Sequence, residues 1–197
     1  MQIDIIEHEP PYRIGYIVGS LSRDSINRRL AEALVALAPA EMQLEEISYG
    51  DLPLYNRDFD ADYPQVARDF KAAVEAMDAV LFVTPEYNRS IPGALKNAID
   101  WGSRPWGQNV WANKPTAMIG ASAGQIGTAV GQQSLRATLA FLDVRQMTSP
   151  EAYIHFTEGL VGDDGAVTVE STREFLRTFM QEFLDFTARV LTVVPRH

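Results

Sequence analysis

Three short stretches carry side chains whose types and spacing suit ligand binding. "GSLSRDSIN" (19–27) offers hydroxyls from Ser20, Ser22 and Ser25, an amide from Asn27 and a guanidinium from Arg23, directly ahead of a helical pattern. Hydroxyls beside the free N–H groups of a helix N-terminus favour a phosphate. The stretch matches neither the GxxxxGK[ST] phosphate loop nor the GxGxxG dinucleotide pattern. A bare helix cap at Asp24 or Ser25 is the plainer alternative. "TPEYNRSIPGALKNAIDW" (84–101) sets Pro85, Glu86, Tyr87 and Asn88 side by side after an apolar run. Ser90 reads as a helix cap and Pro92 as a first-turn residue. That leaves "PEYN" over, able to lay backbone N–H groups along a flat ligand with a phenol beside it. "ASAGQIG" (121–127) brings Ser122 and Gly124 in a glycine-spaced run that lets a ligand approach the backbone, although an ordinary glycine-rich turn has the same composition.

Other chemistries find little support. Cys is absent, which removes disulfides, thiolate metal sites and Cys nucleophiles. His8, His155 and His197 stand far apart and lack metal-ligand spacing, so no metal is expected. "NRDFDADY" (56–63) is acidic but lacks the glycine and distal glutamate of a calcium loop. Ser134 has no nucleophile-elbow context. No side chain is assigned a catalytic role. A net charge of -9 with no basic tract argues against nucleic acid and against anionic membrane surfaces. No apolar run approaches the roughly 18 residues of a membrane span. The first residues lack a secretory pattern, and the expected location is cytoplasmic.

The elements that must hold these stretches alternate. Apolar strands are expected at 13–20, 42–48, 78–84 and 114–122, with a short fifth at 143–148. Helices are expected at 27–38, 65–77, 93–101, 127–142 and 172–191. The first puts Leu30, Ala33, Leu34 and Leu37 on one face, and the last carries an aromatic face of Phe175, Phe179, Phe183 and Phe186. Residues 49–64 read as a long loop, and 150–169 as mixed with a "GDDG" turn. The 46% hydrophobic and 22% charged composition of the 197 residues is that of one globular domain, with 1–12 as a possible arm. Strand–helix alternation predicts an α/β fold of three layers. A five-stranded parallel sheet in flavodoxin-like order 2-1-3-4-5 would carry helices on both faces. In that order the three stretches converge beyond the carboxyl ends of strands 1, 3 and 4. A phosphate loop, a flat-face loop and a small-residue loop around one crevice suit a flavin mononucleotide.

The sequence resembles the NADPH-dependent FMN reductase family, flavodoxin-like enzymes that include quinone and chromate reductases. The similarity runs from about residue 13 to 148 and is densest in "TPEYNRSIPGALKNAIDWGSRP", close to the family signature TPEYN-x-S-x-PG-x-LKNAIDW-x-SR. Gly19, Ser20, Ser25 and Asn27 match the family's GS-x-R-x-x-S-x-N, but the family arginine falls on Ser22, with Arg23 next to it. By this resemblance Ser20, Ser25 and Asn27 hold the FMN phosphate, with Ser22 or Arg23 at the departed position. Pro85, Glu86, Tyr87 and Asn88 line the isoalloxazine, and Ser122 and Gly124 close its other edge. The implied activity passes a hydride from NADPH or NADH through bound FMN to a small-molecule acceptor such as a quinone or free flavin. Tyr87 is a candidate to stack on or gate the ring, and Arg89 or Arg104 to meet the 2′-phosphate of NADPH. Family members form homodimers or homotetramers, which places Arg104 and the nearby tryptophans at a subunit interface. The alternatives on the same fold are a flavodoxin-type electron carrier or a cofactor-free interaction module.

Overall fold

The computed structural model describes residues 9–193; His8 and His197, and the proposed arm as far as residue 8, lie outside the described residues. Chain order runs β1 (Tyr12–Val18), α1 (Ile26–Leu37), β2 (Met42–Glu46), a 3-10 turn (Arg57–Ala61), α2 (Gln65–Glu75), β3 (Ala79–Val83), α3 (Gly93–Gly102), β4 (Pro115–Ser122), α4 (Ala129–Phe141), β5 (Arg145–Gln146), β6 (Ala152–His155) and α5 (Glu170–Val193). Strands pair in the order β2-β1-β3-β4-β5, all parallel, as the alternation predicts.

The fifth position differs from the expectation. β5 spans two residues and pairs only with Pro115 and Thr116, at the start of β4. β6 then takes over the same edge, pairing Ala152 to His155 with Ile119 to Ser122. The sheet therefore has six strands, with its last rank broken in two. Pro150 stands in the break and has no N–H to give to a ladder. β6 falls inside the stretch that reads as mixed, because four residues are too short for a period to show.

Burial follows strand alternation. In β3, Ala79, Leu81 and Val83 join one apolar cluster with α1 and α5, while Val80 and Phe82 join the other with α2, α3 and α4. Both faces of the sheet are thus covered, which is why β3 is apolar at all five positions. The stripes read from sequence seat α1 through Leu30, Ala33 and Leu34 and α5 through Phe179 and Phe183.

The long 49–64 segment is pinned by α3. Asn97 accepts from the Tyr55 N–H and donates to the Pro53 carbonyl, and one turn on the Trp101 indole N–H donates to that same carbonyl. Trp101 is fully buried and meets Tyr55 and Tyr63 edge-on. The i, i+4 spacing of Asn97 and Trp101 puts both on the helix face turned to the loop.

Candidate active site

Strands β1, β3 and β4 end at one level. Val18 pairs with Val83 and Val83 with Ile119. The ladder continues one residue further, from Gly19 N–H to Val83 C=O at 2.8 Å and from Thr84 N–H to Ile119 C=O at 3.0 Å. Thr84 is completely buried between two glycines. A Cβ on Gly19 would stand 2.3 Å from Thr84 Oγ1, and one on Gly120 would stand 2.0 Å from the Thr84 carbonyl oxygen. These two glycines therefore let the three strand ends, and the loops that leave them, close on one another. Beneath the first loop Tyr49 donates its hydroxyl to the Val18 carbonyl at 3.0 Å, and burial pushes that hydroxyl's pKa well up, so it stays a donor.

The first loop delivers hydroxyls to the N-terminus of α1. Ser25 is the N-cap, and its Oγ accepts from Arg28 N–H at 3.3 Å. Ser20 Oγ accepts from Ser22 N–H at 3.3 Å. In both cases the bond uses a lone pair and leaves the O–H free to donate. Asn27 is used differently from the expectation. Its side chain is 1% exposed, donates to Ala121 C=O and accepts from Ala121 N–H, both at 2.9 Å. These bonds join α1 to β4 and use one amide hydrogen and one carbonyl lone pair; Asn27 also lines the cleft, and its backbone N–H is one of the first-turn groups that lack an intrahelical acceptor.

The second loop is a two-residue hairpin. Tyr87 and Ser90 exchange both backbone hydrogen bonds, at 2.9 and 3.0 Å. Asn88 and Arg89 both have positive φ, 52° and 64°, the mark of a type I′ turn. Ser90 is therefore not the helix cap expected from sequence; Pro92 occupies that position, and α3 starts at Gly93. Glu86 points inward, with its side chain 10% exposed. One carboxylate oxygen accepts from Gly131 N–H at 2.9 Å, the other pairs with Arg89 at 3.3 Å. Gly131 lies in the first turn of α4, whose own N-cap residue, Thr128, makes no side-chain capping bond; its hydroxyl oxygen accepts from Gln132 Nε2 at 2.8 Å instead. Glu86 thus caps α4 from outside, and its negative charge suits that terminus. In the third loop Ser122 Oγ accepts from Gly124 N–H at 3.1 Å.

The loops enclose a cleft of about 280 Å³ lined by Ser20, Ser22, Ser25, Pro85, Tyr87 and Ser122, among others. The first loop supplies the hydroxyls of Ser20, Ser22 and Ser25, and the second and third supply flat or small residues, beyond the carboxyl ends of β1, β3 and β4. A family model, NADPH-dependent FMN reductase, matches residues 12–159, covering every element that builds the cleft. The chain belongs to the NADPH-dependent FMN reductase family.

Relatives of known name agree. The chain is 51% identical over 171 residues to a 2-hydroxy-1,4-benzoquinone reductase of Burkholderia sp, covering 87% of this chain and 93% of that one. It is 47% identical over 173 residues to a quinone reductase of Pseudomonas putida, covering 87% and 92%. The solved structure of FerB, a flavoenzyme NAD(P)H:(acceptor) oxidoreductase from Paracoccus denitrificans, superposes with a TM-score of 0.87 at 44% identity, covering 90% of this chain and 98% of that one.

The residues present suit FMN, with one peculiarity. Free hydroxyls and first-turn amides suit a phosphate, and the Pro85–Tyr87 side suits a flat ring. Yet among the described residues no Lys or Arg lines the cleft, and the charged side chains that do are Asp24 and Glu86. Arg23, Asn88 and Gly124 are not among the lining residues, and Arg23 is exposed. Arg28 is held by Glu46 at 2.9 Å, and Arg29 donates to the Val161 carbonyl. Sequence reasoning missed Asp24 as a lining residue and missed Thr84 and Gly120 as the packing that brings the loops together. A glycine inside the otherwise apolar β4 was the available signal for Gly120.

Proposed function

We propose that this chain is an FMN-dependent NAD(P)H oxidoreductase that reduces quinones. The observation that carries this reading is the cleft at the β1/β3 switch point, lined by neutral phosphate donors from the first loop and by flat or small residues from the other two. The chemistry that bound FMN supplies is electron transfer from a nicotinamide to an acceptor. The protein holds and orients. Ser20, Ser22 and Ser25 hydroxyls and the Ile26 and Asn27 amides take the phosphate. Pro85 and Tyr87 flank the ring. Tyr87 and Ser90 spend their N–H groups on each other, so the Glu86, Asn88 and Arg89 amides remain in that turn for a ring oxygen or nitrogen. Tyr87 is half exposed and stands where a second ring would arrive. Arg89, on the same turn, is the better candidate for a nicotinamide phosphate. Arg104 belongs to a separate surface with Trp106, at the far end of α3, roughly 15 Å along that helix. There the exposed Trp106 and Phe141 support a homodimer or homotetramer, which sedimentation would test. Among the described residues no helix is long and apolar enough to cross a membrane.

The test is direct. The purified protein mixed with FMN should quench flavin fluorescence and oxidise NADPH or NADH once a 1,4-benzoquinone, with or without a 2-hydroxy group, is added. A protein that takes up no FMN sinks the reading. FMN uptake with only slow reduction by both nicotinamides points to a carrier instead.

A further inference from the structure

We propose that Asp24 weakens the grip of this cleft on the flavin phosphate, so that the flavin is held as an exchangeable ligand rather than a permanently bound group. The proposal rests on the FMN reading above and concerns how that site is tuned. Asp24 is an exposed residue one position before the Ser25 N-cap, and it lines the cleft beside Ser20, Ser22 and Ser25. A phosphate monoester carries close to two negative charges near neutral pH. The helix N-terminus attracts it, but a carboxylate at the same terminus competes for the same partial charge.

Among the described residues, no Lys or Arg lines the cleft to offset this. The position of the family arginine is occupied by Ser22. Arg23 is exposed and is not among the lining residues. From α1, Arg28 is held bidentate by Glu46 of β2, and Arg29 by the Val161 carbonyl. From the β3–α3 turn comes a second acid, Glu86, paired with Arg89, whose side chain is 65% exposed. The β4–α4 loop contributes Ala121, Ser122 and Ala123, none charged. His155, opposite Ser122 in the sheet, is exposed and does not line the cleft. The chain as a whole is at -9. A phosphate here gains hydrogen bonds from neutral donors and meets like charge at the cradle and beyond it.

Riboflavin has the same ring without the phosphate, so the ratio of FMN to riboflavin affinity isolates this term. Titrations monitored by flavin fluorescence need no turnover. In the parent protein, raising salt from low to moderate should increase FMN affinity relative to riboflavin, since screening relieves repulsion. A cradle built on a guanidinium gives the opposite sign. Asp24→Asn should raise the ratio about three- to tenfold at low salt and shrink the salt effect, with riboflavin binding unchanged. Ser22→Arg should raise the ratio at least as much. Arg23→Gln removes an exposed charge outside the lining and should lower it by less than Asp24→Asn raises it. The proposal is overturned if Asp24→Asn leaves the ratio unchanged or lowers it, or if Arg23→Gln lowers it tenfold, which would place a guanidinium on the phosphate. Failure of the parent protein to bind either flavin overturns the FMN reading itself, and this inference with it.

Discussion

Glu86 shows how a residue read as a ligand contact does its work through the fold. In sequence it stands in "PEYN", where no local structure calls for an acid. In the structure its carboxylate bridges Gly131 N–H and Arg89 and supplies the cap that α4 lacks. A hydrogen bond to a charged, largely buried acceptor is worth about 1.5–3 kcal/mol. Glu86→Ala should cost an amount in that range in urea unfolding. It should also speed hydrogen exchange at the Gly131 amide, which loses its acceptor. Glu86→Gln keeps an acceptor of the same shape and should recover more than half of both effects; equal losses in Ala and Gln variants would show that the charge alone matters. Asn27 carries the same lesson. Its place in a serine-rich loop matches a phosphate ligand, and its side chain also ties α1 to Ala121, 94 residues away. A contact of that range leaves no trace in local pattern, whereas the hydroxyls of Ser20, Ser22 and Ser25 line the cleft because the loop itself carries them there.

Elements were legible where their period was long and their burial uniform. β1, β3 and β4 read as apolar runs because both faces are covered, and α1 and α5 read through their stripes. The broken rank β5/β6 did not read, since two-residue and four-residue strands carry no usable period. The hairpin at 87–90 was missed for another reason: "NR" is not the Asn-Gly pair that signals a type I′ turn, and Arg89 takes its positive φ without help from a glycine. What makes the elements converge is the fit of Thr84 between Gly19 and Gly120. A Cβ on Gly120 meets a backbone oxygen at 2.0 Å and Thr128 Oγ1 at 2.4 Å. No rotamer change moves a carbonyl, so β3 and β4 must part. Gly120→Ala should therefore cost about 3 kcal/mol or more in stability, and flavin uptake should fall with it as the loops separate. A loss under about 1 kcal/mol in chemical denaturation would mean that the strands give way more easily than their packing implies.

At the scale of the whole molecule, the far end of the sheet from the cleft sets how stability depends on pH. Lys114, just before β4, is 7% exposed and donates through Nζ to the Met77 carbonyl at 2.6 Å, tying β4 to the segment that leaves α2. Burial pushes its pKa down from 10.5 to about 8, against a smaller upward pull from Asp78 and Glu75. In the unfolded chain the lysine regains its ordinary value. Between about pH 8 and 10.5 the unfolded state therefore binds the extra proton, and folding stability rises with pH across that window. Below about pH 8 both states are protonated and the contribution is flat. Each pKa unit is worth about 1.4 kcal/mol, so moving from pH 8 to 9.5 should add about 2 kcal/mol. Tyr49 and Tyr63, pushed well above the usual tyrosine range by burial, work in the opposite direction, because their unfolded forms ionise from about pH 10 upward. The useful window is therefore pH 8 to 9.5. Urea unfolding across it should show stability climbing in the parent protein, and Lys114→Met should flatten most of that climb, leaving what Lys71, also lowered by burial, contributes with the same sign, while the Met77 carbonyl loses its donor. An identical slope in both proteins would mean that Lys114 holds its proton in the fold as firmly as in water.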